Sequence, residues 1–375
     1  MKSRLLLTVL FLPLLASAQS YTSSTLVSFP PLSKTAPAGP EATLVIDSKG
    51  NLYGVAGGGN QGTVFKATPK GVLTVLHNFG GPDGASPQSN VVFDPAGNLY
   101  GTTMEGGAFG WGTVYKLTPK NVETVLYSFT DTPTDGNYPI YPVTLDSAGN
   151  VFGYTYYTEQ DQPSAGAVYQ ITPQGSFSIV YNFGQNQGYD GFNPEGSMIV
   201  DREGNFYGTA NEGGDFDTCG LPFGVVFKMT PDYDYTVLHT FCPNAGDVAS
   251  PRGKLTQDNK GNMFGGGGGI YKITQGGSES VLNTCCAVSY NYAQTLVRDS
   301  AGNLYGTVPA ASTDDNPYVF KIAPGGAETV LYTAKAPINI GEGVVLDSAG
   351  NIYGTTANGG TNGTGSIFKL TKKAN

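Results

Sequence analysis

The chain has 375 residues, 54 of them Gly and 24 Pro, and only 13% are charged. Ordinary soluble proteins carry about 25% charged residues and about 12% Gly plus Pro, so long helices and coiled coils, which need Ala, Leu, Glu and Lys in quantity, are excluded. Disorder is excluded by 39% apolar residues with 23 Tyr and 19 Phe, and the net charge of −9 disfavours nucleic acid and anionic membranes as partners.

The N-terminus reads as a leader. Lys2 and Arg4 precede an apolar run from Leu5 to Leu15, and Ala16-Ser17-Ala18 forms a small-x-small cleavage site. Residues 1–18 are therefore expected to be a signal peptide, and loss of its two basic residues takes the net charge from −9 to −11. The apolar run is shorter than the ~20 residues of a membrane helix. No later segment reads as a span, and no Cys follows the cleavage site to carry a lipid. A secreted or periplasmic protein follows, with residues 19–375 as a single domain.

The run Thr25-Leu26-Val27-Ser28-Phe29 comes next and has no partner in sequence. Then the pattern D-x-x-G-N-x-[YF]-G occurs seven times, starting at Asp47, Asp94, Asp146, Asp201, Asp258, Asp299 and Asp347. First and last lie 300 residues apart across six intervals, a mean period of 50. Each copy follows an apolar run such as Val91-Val92-Phe93. It precedes two more, such as Val64-Phe65-Lys66 and Thr74-Val75-Leu76-His77-Asn78-Phe79. Short β-branched and aromatic runs punctuated by Gly, Pro, Asn and Asp are strands and turns. Four antiparallel strands, a to d, in ~40–50 residues make a propeller blade, so the prediction is an all-β, seven-bladed β-propeller. The seventh copy stops after strand c at Thr371, and the unmatched run at 25–29 resembles a strand d. The N-terminal strand is expected to complete the last blade and close the ring, leaving no open edge.

Within D-x-x-G-N the Asp is expected to accept hydrogen bonds from turn amides, the Gly to take positive φ, and the Asn to tolerate the tight geometry. An EF-hand calcium loop would need further oxygen ligands and a terminal Glu. The full pattern, D-x-x-G-N-L-Y-G-T-T, then G-T-V-F-K-L-T-P and T-V-L-x-x-F, is clearest from Asp94 to Phe129. It resembles the GloVer tandem repeat of bacterial secreted and surface proteins and, more distantly, NHL-type propeller repeats. The resemblance implies a propeller in a secreted or surface setting. It brings no catalytic residue with it.

His77 and His239 occupy one strand-d position, where other copies hold Tyr127, Tyr181, Asn283 and Tyr332. A position that accepts all three residue types is expected to be structural. Two His exclude a three-His zinc site, and no metal or cofactor is expected. Lys66, Lys116, Lys228, Lys272, Lys321 and Lys369 recur in the ring, with Gln170 in the third copy, and their stems are expected to cover apolar surface. The glycine runs at 57–59, 265–269 and 359–360 are not followed by the Lys-Ser/Thr of a phosphate loop.

Alternating strands put the b–c and d–a loops on one face, opening on the central channel where ligands bind. The ligand-binding candidates there are Asp83, Asp135, Asp190 and Asp247 from d–a loops, and Glu105, Trp111, Tyr156 and Glu212 from b–c loops, with Tyr157, Asp215 and Asp217 beside them. Aromatic rings beside acids suit sugar binding, and paired carboxylates ~5–10 Å apart suit glycoside hydrolysis. The expected function is a monomeric binding or scaffold module for a glycan or an extracellular protein. The alternative is a carbohydrate-active enzyme using channel-mouth carboxylates. Four Cys fit an oxidising compartment. Cys219 and Cys242 fall on that same face in neighbouring strands and are expected to bridge. Cys285 and Cys286 form a vicinal disulfide or stay reduced, and the crossed pairing stays open.

Overall fold

The computed structural model describes residues 20–373 apart from 41, 133, 157–164, 243–245, 249, 285–294 and 311–315. The leader, Tyr157, Cys285 and Cys286 lie outside the described residues. The described strands form seven antiparallel sheets in a seven-bladed propeller, each with sequence-adjacent strands side by side. Blade 4 runs Phe192–Val200, Phe206–Glu212, Val225–Met229 and Tyr235–Thr240 as strands a to d. Blade 1 carries an additional two-residue strand, Pro37–Ala38, paired to Gly58 and Gly57 at the far end of its strand b. The only helix among the described residues is Phe216–Cys219, in the b–c loop of blade 4, and no described helix is long and apolar enough to cross a membrane.

The ring closes as expected. The N-terminal strand Tyr21–Ser28 pairs antiparallel with Ser366–Lys372, Tyr21 opposite Lys372 and Ser28 opposite Ser366. It is the outermost strand of the sheet that also holds Ile340–Leu346 and Ile352–Thr356.

Seven apolar clusters fill the seven seams between blades. One joins Val55, Val64 and Phe79 of blade 1 to Leu99, Tyr115 and Leu117 of blade 2. Another joins Phe29 and Phe65 to Tyr353 and Ile367 across the closure. Strands b and c are therefore covered on both faces, which is why they read as continuous apolar runs rather than alternating ones.

The repeated turn is a compact hydrogen-bond unit. In blade 2, Asp94 Oδ1 accepts from the amides of Ala96 and Asn98, both at 2.9 Å. Asp94 Oδ2 accepts from Asn98 Nδ2 at 2.6 Å and from the Tyr100 hydroxyl at 3.3 Å. Gly97 takes φ 82°, and the Lys116 ammonium lies 5.4 Å from the Tyr100 ring centroid. The Asn thus matters as a donor to the Asp rather than for its backbone tolerance. That Asn-to-Asp bond recurs in all seven blades.

Partial burial pushes these carboxyls up, but bonds from the Asn side chain and the turn amides outweigh it. Asp47, Asp94, Asp201, Asp258, Asp299 and Asp347 all sit below the ordinary Asp value. An unfolded Asp titrates near ~3.9. The stability these groups confer is complete above that value and is lost as pH falls through their lower folded values, because the unfolded chain binds protons first. Urea midpoints measured between pH 5 and pH 2 are expected to fall steeply below about pH 4. A flat profile would contradict the turn network.

Candidate functional site

Three residues before each motif Asp stands a buried apolar residue: Leu44, Val91, Val143, Met198, Leu255, Leu296 and Val344. The residues just upstream of these turn to the propeller axis. Ala42, Gln88, Tyr141, Glu195, Lys254, Thr295 and Glu342, one from each blade, line a central channel of about 500 Å³. Strand a is innermost, so the channel wall is built from the segments entering it.

The wall is charged on one side. Glu195 Oε1 lies 3.6 Å from Arg252 Nη1 and accepts from Asn211 Nδ2. Burial raises Glu195 to about 7 against the pull of Arg252 and Asn211, with Glu342 and Glu212 pushing in the same direction as burial. Burial likewise holds the Tyr141 hydroxyl well above its usual value, with Glu195 adding to the shift. Lys254 stays open to the channel interior, and desolvation by the surrounding protein lowers its pKa. Among the described residues no hydrogen bond or ion pair reaches its ammonium.

The d–a loop candidates have other company. Asp83 Oδ2 is 2.8 Å from His77 Nε2, and its Oδ1 accepts from the Gly80 amide at 2.8 Å. Asp135 is buried and accepts from the Tyr127 hydroxyl at 3.0 Å and the Thr130 amide at 2.7 Å. Asp190 is buried and accepts from the Tyr181 hydroxyl at 2.7 Å. Asp247 accepts from the Cys242 amide at 2.9 Å and lies 3.4 Å from His239 Nε2. Each is tied to strand d of its own blade, the outermost strand, and the four are not brought together.

Glu105 is exposed and accepts from Ser86 Oγ at 3.2 Å. Trp111 packs edge-on against Tyr138, ring centroids 5.3 Å apart. Tyr156 and Glu212 do not line the channel, though Tyr156 acts electrostatically on Tyr141 and Glu212 on Glu195. Asp215 caps the short helix, accepting from the amides of Asp217 and Thr218. The Cys219–Cys242 bridge is formed and ties that helix to the segment after strand d. Four of the recurrent lysines, Lys66, Lys116, Lys228 and Lys369, lie over the motif tyrosines Tyr53, Tyr100, Tyr207 and Tyr353.

Glu195, Arg252, Lys254 and Glu342 escape sequence reasoning. Their signal is a contrast: the apolar position three before the motif Asp is constant, while the positions just upstream change charge from copy to copy. A second missed group lies at the outer seams. His77, Asp83 and Glu123 form one set, and His239, Asp247 and Glu279 the other, each with its ligand-type atoms all within 4.8 Å of one another. Burial first, then Asp83, raises Glu123 to about 7, and burial with Asp247 raises Glu279 as well. At the intervening seams Tyr127 stacks on Phe177 at 4.0 Å and Tyr181 on Tyr235 at 4.1 Å. His therefore faces a Glu of the next blade, and Tyr faces a ring, a pairing visible in the aligned repeats.

A model of the Gloeobacter/Verrucomicrobia repeat matches residues 40–266. The chain belongs to this family. The match spans the motif copies of this Gloeobacter/Verrucomicrobia repeat protein from Asp47 to Asp258 and ends in strand b of blade 5, Met263–Gly266. No protein of curated function matches it in sequence. Among solved structures, virginiamycin B lyase from Staphylococcus aureus is similar at a TM-score of 0.61 and 13% identity, over 94% of this chain and 99% of the lyase. The extracellular domain of a protein described as a hybrid two component system from B. thetaiotaomicron is similar at 0.58 and 14% identity, over 94% of this chain but 41% of the other. At these identities the likeness is one of fold.

Proposed function

We propose that the protein is a secreted binding module whose ligand seat is the central channel, and that its ligand is a small saccharide bearing a carboxylate. The unpaired Lys254 ammonium carries this reading. The ammonium stands open in the channel among the lining residues, and a ligand carboxylate there would give it a charge-assisted partner. Tyr141, Asn211 and the Glu195–Arg252 pair offer donors and acceptors for sugar hydroxyls. On this reading Tyr156 and Glu212 border the entrance and Glu105 and Trp111 lie further out on the same face. Asp83, Asp135, Asp190 and Asp247 hold the loops that frame it. The leader-like N-terminus and the disulfide support secretion.

Calorimetric titration of the mature protein with uronate-containing oligosaccharides and their neutral counterparts tests the reading. The acidic sugars are expected to bind, and Lys254→Met is expected to weaken them roughly 10- to 100-fold, the range for a hydrogen bond to a charged group. Equal affinity for neutral sugars, or an unchanged Lys254→Met variant, removes the assignment.

The raised Glu195 favours a second reading, an enzyme, because a carboxyl near neutrality is suited to general acid–base work. Product analysis of the same mixtures separates the two. Cleavage abolished by Glu195→Gln identifies an enzyme, and unchanged sugars identify a binder.

A further inference from the structure

We propose that the seam between blades 4 and 5 is a binding site for a zinc-type divalent cation, held by His239, Asp247 and Glu279. The three come from strand d of blade 4, from the loop after it, and from strand d of blade 5, so an occupant would clamp two blades together at the outer rim. His239 Nε2 lies 3.4 Å from Asp247 Oδ2 and 3.9 Å from Glu279 Oε2. Tetrahedral zinc with nitrogen and oxygen ligands at about 2.0–2.2 Å sets neighbouring ligand atoms roughly 3.3–3.6 Å apart, so the set needs only a small contraction to take the ion.

Two atoms of the set make no hydrogen bond of their own. The Glu279 side chain is 8% exposed, yet its Oε1 has no hydrogen bond, and neither has His239 Nε2. The Asp247 and Glu279 carboxylates, both within 4.8 Å of the imidazole, repel one another unless a proton or a cation lies between them. The imidazole selects a borderline transition cation over calcium or magnesium, which prefer all-oxygen sites.

The supporting shell is also present. The Cys242 amide donates to Asp247 Oδ2 at 2.9 Å, and Cys242 is fixed by its bridge to Cys219, so the loop carrying Asp247 is held at both the amide and the sulfur. Groups that orient metal ligands in this way matter nearly as much as the ligands. The counterpart at the blade 1–2 seam differs in one respect. His77 Nε2 already sits 2.8 Å from Asp83 Oδ2, a hydrogen bond that an ion must break, so the blade 4–5 set is the stronger site.

The test uses the mature protein, prepared without a histidine tag, stripped with EDTA and titrated with zinc, with cobalt(II) as a spectroscopic probe. One tight zinc per chain is expected, with a visible cobalt band and a raised melting temperature. His239→Asn places at this position the residue that blade 5 carries as Asn283, and Glu279→Gln keeps the seam's shape. Each is expected to weaken zinc by more than about 100-fold, beyond the 10- to 100-fold cost of losing a supporting group, while retaining the wild-type circular dichroism. His77→Asn is expected to leave the tight site intact. Absence of zinc binding by the wild type, unchanged binding by His239→Asn or Glu279→Gln, or loss of tight binding on His77→Asn overturns the assignment. None of these results depends on the channel ligand.

Discussion

Deletion of residues 21–28 is expected to open the ring and make the chains associate through the exposed blade edge. The segment is the outer strand of blade 7, and its removal leaves Ser366–Lys372 as an unpaired edge with Ile367 and Leu370 behind it. An exposed edge of this kind recruits other chains. Val27 and the packed Leu26 leave the cluster that also holds Phe65 and Tyr353, and Phe29, which sets its ring edge-on to Phe65 at 5.1 Å, loses its tether. Phe29→Ala alone is expected to cost about 3–5 kcal/mol, a large share of the ~5–15 kcal/mol that holds a typical domain. Size-exclusion chromatography with light scattering and a thermal melt measure the effect. A synthetic peptide of residues 20–30 added during refolding is expected to restore the size of the intact protein, which separates a missing strand from a general failure to fold. A truncated chain that keeps the size and the melting temperature of the intact protein would show that the ring does not depend on this closure.

Gly101→Ala is expected to destabilise the propeller by about 2–3 kcal/mol through overpacking. Gly101 is the last residue of the motif in blade 2, and a Cβ built there would lie 2.5 Å from Tyr115 Oη and 2.7 Å from Cζ. Tyr115 is wholly buried and has no room to retreat. The same glycine faces a strand-c ring in every blade, Phe65 against Gly54 and Phe320 against Gly306 being two more cases. Tyr115→Phe is expected to act in the opposite sense. Its hydroxyl is buried without a hydrogen-bond partner, and an unsatisfied buried polar group costs about 1–3 kcal/mol, so the phenylalanine variant should gain roughly 1 kcal/mol. Urea unfolding of the two single variants and the double variant reads both effects. A stable Gly101→Ala, or a weakened Tyr115→Phe, would contradict the packing described.

Architecture was legible because it is written seven times. The strand order, the turn aspartates and the completion of the last blade by the first strand all follow from comparing copies, since a repeat reports which positions its backbone needs. The charged wall of the channel was not legible for the same reason. Asp83, Asp135, Asp190 and Asp247 recur with a following glycine or in its neighbourhood, and each pairs with the His or Tyr of its own strand d. Channel residues such as Lys254 and Glu195 could not be placed without knowing which way the segment entering strand a turns its side chains. The two His–Asp–Glu sets cross a blade boundary, where spacing along the chain carries no information about distance.

The register of the closing strand also fixes how the ring responds to force. Because Tyr21 lies opposite Lys372 and the Lys373 amide donates to the Ser20 carbonyl, the first and last described residues lie side by side at one end of the same ladder. Tension applied between them loads the terminal hydrogen bond first and opens the ladder one rung at a time, like a zip, whereas a strand pulled along its length would resist with all its rungs together. A molecule tethered by either end alone carries that load outside the clasp. A molecule stretched between both ends yields there, at the one blade assembled from the two extremes of its sequence.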